Sequence, residues 1–264
     1  MAFRMLYILG LLLFLLNACN ERLASSPETP SSEIITYKNM EMTRADSSEI
    51  SPAVRLRYRT DSEIITALLI NEENNTQIEL PSELIDMLYN GLLHIYKSDI
   101  EEAQEVTKDY EIHRTVLAGA SRRLYLRIDK DQGWARAWLN DILITGNAGI
   151  DQLIKEYNLQ LIDAIELFTE PDVSAKFKTK KPYNQFALAS LFNSRDDVEN
   201  AGANINIADG DNIEVAMGDN HIQYLFSDGF GDCFAGCIKH YYWSFNVLSD
   251  GRVEFVEEYG SPFE

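Results

Sequence analysis

Residues 141–207 read DILITGNAGIDQLIKEYNLQLIDAIELFTEPDVSAKFKTKKPYNQFALASLFNSRDDVENAGANINI, and the alternation of strand and helix signals along this stretch decides the fold class. Asp141 to Thr145 reads as a strand. Asn147 is an N-cap for a helix whose stripe Ile150, Leu153, Ile154, Tyr157 follows the i, i+3, i+4, i+7 rule. Leu159 to Phe168 and Val173 to Lys178 read as strands. Asn184 caps a second helix with Leu188, Leu191 and Phe192 inward, and Val198 to Ile207 alternates again at Ala203, Ile205 and Ile207. The sum is a β-α-β-β-α-β unit, expected over residues 136–210 of an α+β protein.

On its C-terminal side, residues 211–264 predict an antiparallel β-meander, whose joining to the same sheet the pattern leaves open. Its strands are Ile213 to Met217, Ile222 to Ser227, Ile238 to Leu248 and Val253 to Tyr259, with Asp250-Gly251 a strong hairpin turn before the last. On the N-terminal side, residues 51–135 read as an α/β region. Val54 to Arg59 alternates apolar and basic residues at the period of a strand, placing Arg55, Arg57 and Arg59 on one side, and Ile64 to Ile70 reads as a buried strand. Pro81 opens a helix with Leu84, Leu88, Leu92 and Ile95 inward, and Ser98-x-x-Glu101 is a capping box for another, running to about Lys108. Tyr110 to Leu117 and Arg122 to Asp129 read as strands, the latter with Leu124, Leu126 and Ile128 on one face.

Between the middle strands of the meander lies Asp228-Gly-Phe-Gly-Asp-Cys-Phe-Ala-Gly-Cys237. Cys233 and Cys237 are expected to pair as a disulfide in an oxidising compartment. Zinc held by Cys233, Cys237 and His240 is the alternative, though Cys-x3-Cys-x2-His is not a standard spacing. A bridged cysteine cannot serve as a nucleophile for His240 or His221. Asp209, Asp211, Asp219, Asp228 and Asp232 match no calcium loop and read as turn residues. Tyr241, Trp243 and Phe245 share one strand face, read as core. If the other is exposed, Tyr242, with Phe230 beside the loop, is a candidate recognition surface. His94 and His113 lie in apolar stretches and read as structural histidines. No phosphate loop, nucleophile elbow or H-E-x-x-H helix is present, and the reading names no catalytic residue, cofactor or resident metal.

The chain starts MAFRMLYILGLLLFLLNACN, with Arg4 ahead of an apolar run from Met5 to Leu16. That run is short of the roughly 20 residues a helix needs to span a bilayer, and reads as the core of a signal peptide, residues 1–18. Leu16-Asn17-Ala18-Cys19 resembles the lipobox of bacterial lipoproteins, which implies cleavage before Cys19 and a diacylglycerol on its sulfur, with a fatty acid such as palmitate on the new amine. Residues 19–50 then form a lipidated tether, since NERLASSPETPSSE has almost nothing to bury. The expected location is the cell envelope, anchored to a membrane and, for the reading adopted, the outer one. The chain has 23 basic and 42 acidic side chains, a net charge of −19, and loss of residues 1–18 removes one arginine and no acid. A field of that sign excludes nucleic acid as a partner and attracts cationic peptides or divalent ions.

Two further resemblances narrow the expectation. The segments IDQLIKEYNLQL, NQFALASLF and DVENAGAN, within residues 142–204, resemble propeptides of subtilisin-like proteases, small ferredoxin-like domains that chaperone and inhibit their protease. Ala201-Gly202-Ala203-Asn204 lacks the proline of the Ala-x-Pro-Asn motif of those domains, and no protease domain or subtilase histidine motif accompanies it. The GDCxxGC loop followed by HYYWSF, together with ELIDMLYNGLLHIY, is similar to a group of uncharacterised lipoproteins of Bacteroidota-type bacteria, a resemblance that supplies no known activity. The expectation is therefore a lipid-anchored envelope protein that binds another protein, a subtilisin-like protease among the candidates. A hydrolase of peptides or envelope polymers and a purely structural lipoprotein are the competing classes.

Overall fold

A computed structural model describes residues 40–73, 76–129, 131–167, 172–204, 209–233 and 236–262. Cys19, the expected leader and most of the tether expected over residues 19–50 lie outside them, as do Ile205 and Ile207. The described end of that expected tether is packed instead, the Thr43 amide donating to the Ser249 carbonyl at 2.8 Å with Ala45 and Ile50 buried. Among the described residues, no helix is long and apolar enough to cross a membrane.

The first element corrects the reading of two strands. Helix α1, Pro52–Glu72, absorbs both Val54 to Arg59 and Ile64 to Ile70. Ser51 caps it, its hydroxyl accepting the Val54 amide at 3.3 Å, and Pro52 occupies the first turn, where no amide hydrogen is required. Exposure separates helix from strand here. Leu56 and Tyr58 would share a strand face, yet Leu56 is 68% exposed and Tyr58 is 0% exposed, as the roughly 200° between them on a helix demands. The three arginines accordingly do not share one side: Arg57 turns away from Arg55 and Arg59 and pairs with Glu111 at 3.4 Å, while Arg59 pairs with Asp86. The second half of α1 is buried on all sides, Asp61, Ser62, Glu63 and Thr66 included, so no wet face marks it as a helix in the sequence.

Helix α2, Ser82–Lys97, buries Leu84, Leu88, Leu92 and Ile95 as the stripe predicts. Helix α3, Glu101–Gln104, runs into a π-helical turn, Glu105–Asp109. The expected strand at Tyr110 to Leu117 is irregular chain instead. Glu111 (φ 47°) and Leu117 (φ 57°) adopt left-handed backbone that breaks a ladder, and the Ile112 amide closes onto the Val106 carbonyl at 2.9 Å.

The β-α-β-β-α-β unit is present with a different first strand. It consists of β1 (Arg123–Ile128), α4 (Ala148–Glu156), β2 (Leu159–Glu166), β3 (Val173–Thr179), α5 (Gln185–Asn193) and β4 (Asn200–Ala203). The strands form one antiparallel sheet in the order β2-β3-β1-β4, the ferredoxin-like arrangement. Residues 141–145 are not a strand, because their surroundings claim the backbone. Asp141 turns left-handed (φ 59°) after the 3-10 helix Gly133–Asn140, and the Trp138 indole donates to the Leu143 carbonyl at 3.1 Å. The buried Asp151 carboxylate takes the Thr145 and Gly146 amides at 2.8 and 2.9 Å. A boundary at residue 136 would thus cut the sheet, whose central strand lies upstream of it. Asn147 and Asn184 cap α4 and α5 as read from the sequence. The core between sheet and helices holds Leu124, Leu126, Ile128, Trp138, Ile150, Phe177, Leu188 and Phe192.

The meander does not extend that sheet. Strands β5 (Asn212–Met217), β6 (His221–Phe230), β7 (Lys239–Leu248) and β8 (Val253–Gly260) form a second four-stranded sheet in sequential order. Its inner face, with Tyr224, Phe226, Trp243, Phe245 and Val247 fully buried, packs against α1 and α2. Tyr224 reaches α2, donating its hydroxyl to the Leu88 carbonyl at 3.0 Å, and only glycine at position 91 leaves space for its ring. The described residues all fall within one compact unit.

Candidate recognition surface at the cystine loop

The hairpin between β6 and β7 is shaped by backbone that L side chains rarely adopt. Gly231 (φ 93°) and Gly236 (φ 118°) lie on either side of Cys233, and Cys233 and Cys237 are joined as a disulfide. With both sulfurs bonded to each other, no thiolate is available as a nucleophile or for the three-ligand zinc arrangement weighed from the sequence. Gly229 is packed too tightly for a side chain, since a Cβ there would meet the Cys237 sulfur at 2.7 Å and the Gly210 carbonyl oxygen at 3.1 Å.

Asp209 ties this loop to the chain before β5. Its Oδ2 accepts the Cys237 amide at 2.9 Å and lies 3.0 Å from His240 Nε2, while Oδ1 accepts the Gly210 amide at 2.9 Å. Burial alone would raise the Asp209 carboxyl, but the bonds from His240 and the two amides outweigh it and hold the group below the usual carboxylate range. On the outer face of the sheet His240 stacks on Tyr242, centroids 6.0 Å apart, and Tyr242 on Tyr259 at 4.9 Å. Tyr259 is 46% exposed and Ile238, at the foot of β7, is 73% exposed. The two residues singled out in the sequence are not brought together. Tyr242 pairs with Ser227 on the outer face, whereas Phe230, opposite Lys239, falls by register on the face of Phe226 and Asp228. The aromatic ladder His240-Tyr242-Tyr259 therefore replaces the expected pair. Tyr259 was missed because its neighbour across the strands lies outside any local window.

A second polar cluster lies on the inner side of the sheet. The buried Asp61 carboxylate is 2.7 Å from His113 Nδ1 and accepts the Arg114 amide at 3.0 Å, so His113 is the satisfied structural histidine expected. Near it, burial and the shared hydrogen bond with Asp228 push the Asp211 carboxyl up to about 6, against an opposing pull from His113. Beside them opens a cleft of about 410 Å³ lined by Arg57, Tyr58, Tyr96, Lys108, Glu111 and His113. Burial drives the Tyr58 phenol far above its ordinary range, so it stays protonated, and the Thr107 hydroxyl is spent on the Ala103 carbonyl at 2.6 Å. Neither the Tyr58 nor the Thr107 hydroxyl is thereby activated as a nucleophile.

Comparison with known protein families, with curated proteins and with solved structures gives no match.

Proposed function

We propose that this chain is a lipid-anchored protein of the cell envelope, attached through Cys19, whose task is non-enzymatic recognition of another protein. The observation that carries the reading is the stacked His240-Tyr242-Tyr259 ladder beside the cystine loop, with Ile238 exposed at its edge. Stacked aromatic side chains offer large contact area at low conformational cost, and the cystine fixes Cys233 against Cys237 before any partner arrives. Incorporating a photocrosslinker at Tyr259 of the full-length chain in living cells tests the surface. A discrete adduct is expected that disappears with Tyr242→Ala and Ile238→Asp but survives Glu83→Ala. An adduct indifferent to the first two substitutions refutes the surface. Labelled fatty acid should be incorporated into the wild-type chain and lost with Cys19→Ser; retained label refutes the anchor.

A narrower version is inhibition of a subtilisin-like protease through the β-α-β-β-α-β unit. The strand order β2-β3-β1-β4 favours it, as do Ile162 and Ile165, each 48% exposed on the edge strand β2. Titration of the detergent-solubilised chain against subtilases should depress peptide hydrolysis, and unchanged hydrolysis at micromolar chain rules this version out.

A further inference from the structure

The loop that brings two sulfurs together also brings an imidazole and a carboxylate. Cys237 Sγ, His240 Nε2 and a carboxylate oxygen of Asp209 all lie within 4.8 Å of one another, and Cys233 is bonded to Cys237. They come from three places: the approach to β5, the hairpin loop and the start of β7. Tetrahedral zinc, with bonds of about 2.0 to 2.3 Å, needs its ligand atoms roughly 3.3 to 3.8 Å apart, so the three donors lie no more than about 1 Å beyond that spacing. Asp209 is also held in place by the Cys237 and Gly210 amides, the kind of supporting hydrogen bonding that fixes a ligand's orientation.

We propose that Cys233, Cys237, His240 and Asp209 form a redox-gated zinc site, closed to metal while the cysteines are bridged and able to take one zinc ion once they are reduced.

The chemistry balances with a named reductant. A water-soluble trialkylphosphine attacks one sulfur and breaks the S–S bond. Water then supplies the oxygen of the phosphine oxide and the two hydrogens that complete two thiols. Zinc displaces both thiol protons and binds two thiolates, the neutral imidazole and the carboxylate. Affinity therefore rises with pH. The excess of acidic side chains over basic ones favours accumulation of divalent cations around the molecule. Asp209 is the ligand that no sequence motif announces, since it stands well upstream of the cysteines.

The test uses the full-length chain in detergent, dialysed against zinc under argon before and after phosphine reduction, with metal content measured by elemental analysis. The oxidised protein should hold no zinc above background and the reduced protein one equivalent. Asp209→Asn and His240→Gln should each weaken zinc binding by at least about tenfold. Cobalt loaded into the reduced wild-type protein provides a readout independent of the variants' folding. Intense visible bands of tetrahedral cobalt with thiolate charge transfer are expected. A weak octahedral spectrum, zinc uptake unchanged by reduction, or wild-type affinity in folded Asp209→Asn and His240→Gln would each overturn the site. Because the photocrosslink at Tyr259 reads contact with a partner in cells and the metal assay reads zinc on the purified chain, failure of the zinc site leaves the recognition surface standing, and the reverse holds as well.

Discussion

Replacing Asp211 by asparagine should change how stability depends on pH. In the folded chain burial and the neighbouring Asp228 carboxyl raise Asp211 to about 6, against 3.8 for an ordinary aspartate, with His113 pulling in the opposite direction. A carboxyl whose folded value is raised binds its proton more tightly when folded. Its contribution to stability is therefore complete below the unfolded value and is lost as pH climbs through the folded one. A difference of this size corresponds to about 3 kcal/mol over the whole titration, and partial solvation of the group halves that to roughly 1.5 kcal/mol. The asparagine side chain has no such titration. The wild-type chain should accordingly lose roughly 1.5 kcal/mol relative to Asp211→Asn between pH 4 and pH 7. Urea unfolding followed by tryptophan fluorescence at intervals of half a pH unit gives the difference curve directly. A flat curve, or one that rises with pH, refutes the shared-proton arrangement.

Other perturbations probe the packing. Arg122→Ala leaves Glu63, which now receives two guanidinium hydrogen bonds at 2.8 and 2.9 Å, buried without its cation, and should cost about 3 to 5 kcal/mol in urea unfolding. Tyr224→Phe removes only the hydrogen bond to the Leu88 carbonyl, so about 1 kcal/mol is expected from the same measurement. Gly91→Ala drives a methyl group into the Tyr224 ring and should destabilise by about 1 to 3 kcal/mol, relieved in the double variant with Tyr224→Leu. Phosphine reduction without metal frees the short loop closed by the cystine and should lower stability by about 2 kcal/mol, with little change in the secondary-structure signal.

The C-terminal sheet was legible strand by strand because its outer face is wet, so alternation survives in the sequence, and because Asp250-Gly251 marks its last turn. Helices α4 and α5 were legible because Asn147 and Asn184 satisfy their own amides within three residues. Helix α1 was not, since its second half has no polar face to set a period and its first half alternates for six residues. The segment at 141–145 has strand-like composition, yet Trp138 and Asp151 occupy its hydrogen-bonding groups, and no local pattern reveals a side chain arriving from elsewhere. The sites follow the same division. The cysteine pair is a short-range feature and was visible. The couplings Asp61 to His113, Asp211 to Asp228 and Asp209 to His240 exist only once distant segments meet.

The interleaving of the first sheet has a consequence for the order in which the chain acquires structure. Leu126, in its central strand, finds its two neighbours at Ala175 and Ala201, both from segments made much later. Loop closure over such separations must precede the contacts that reward it, so topologies of this kind fold late and slowly. A nascent chain ending before Asn200 should therefore remain protease-sensitive around β1, in pulse proteolysis of stalled chains, long after its helices can form. Under the proposed lipid anchor at Cys19 the chain has to cross a membrane, and such delay would keep the polypeptide extended until it has crossed.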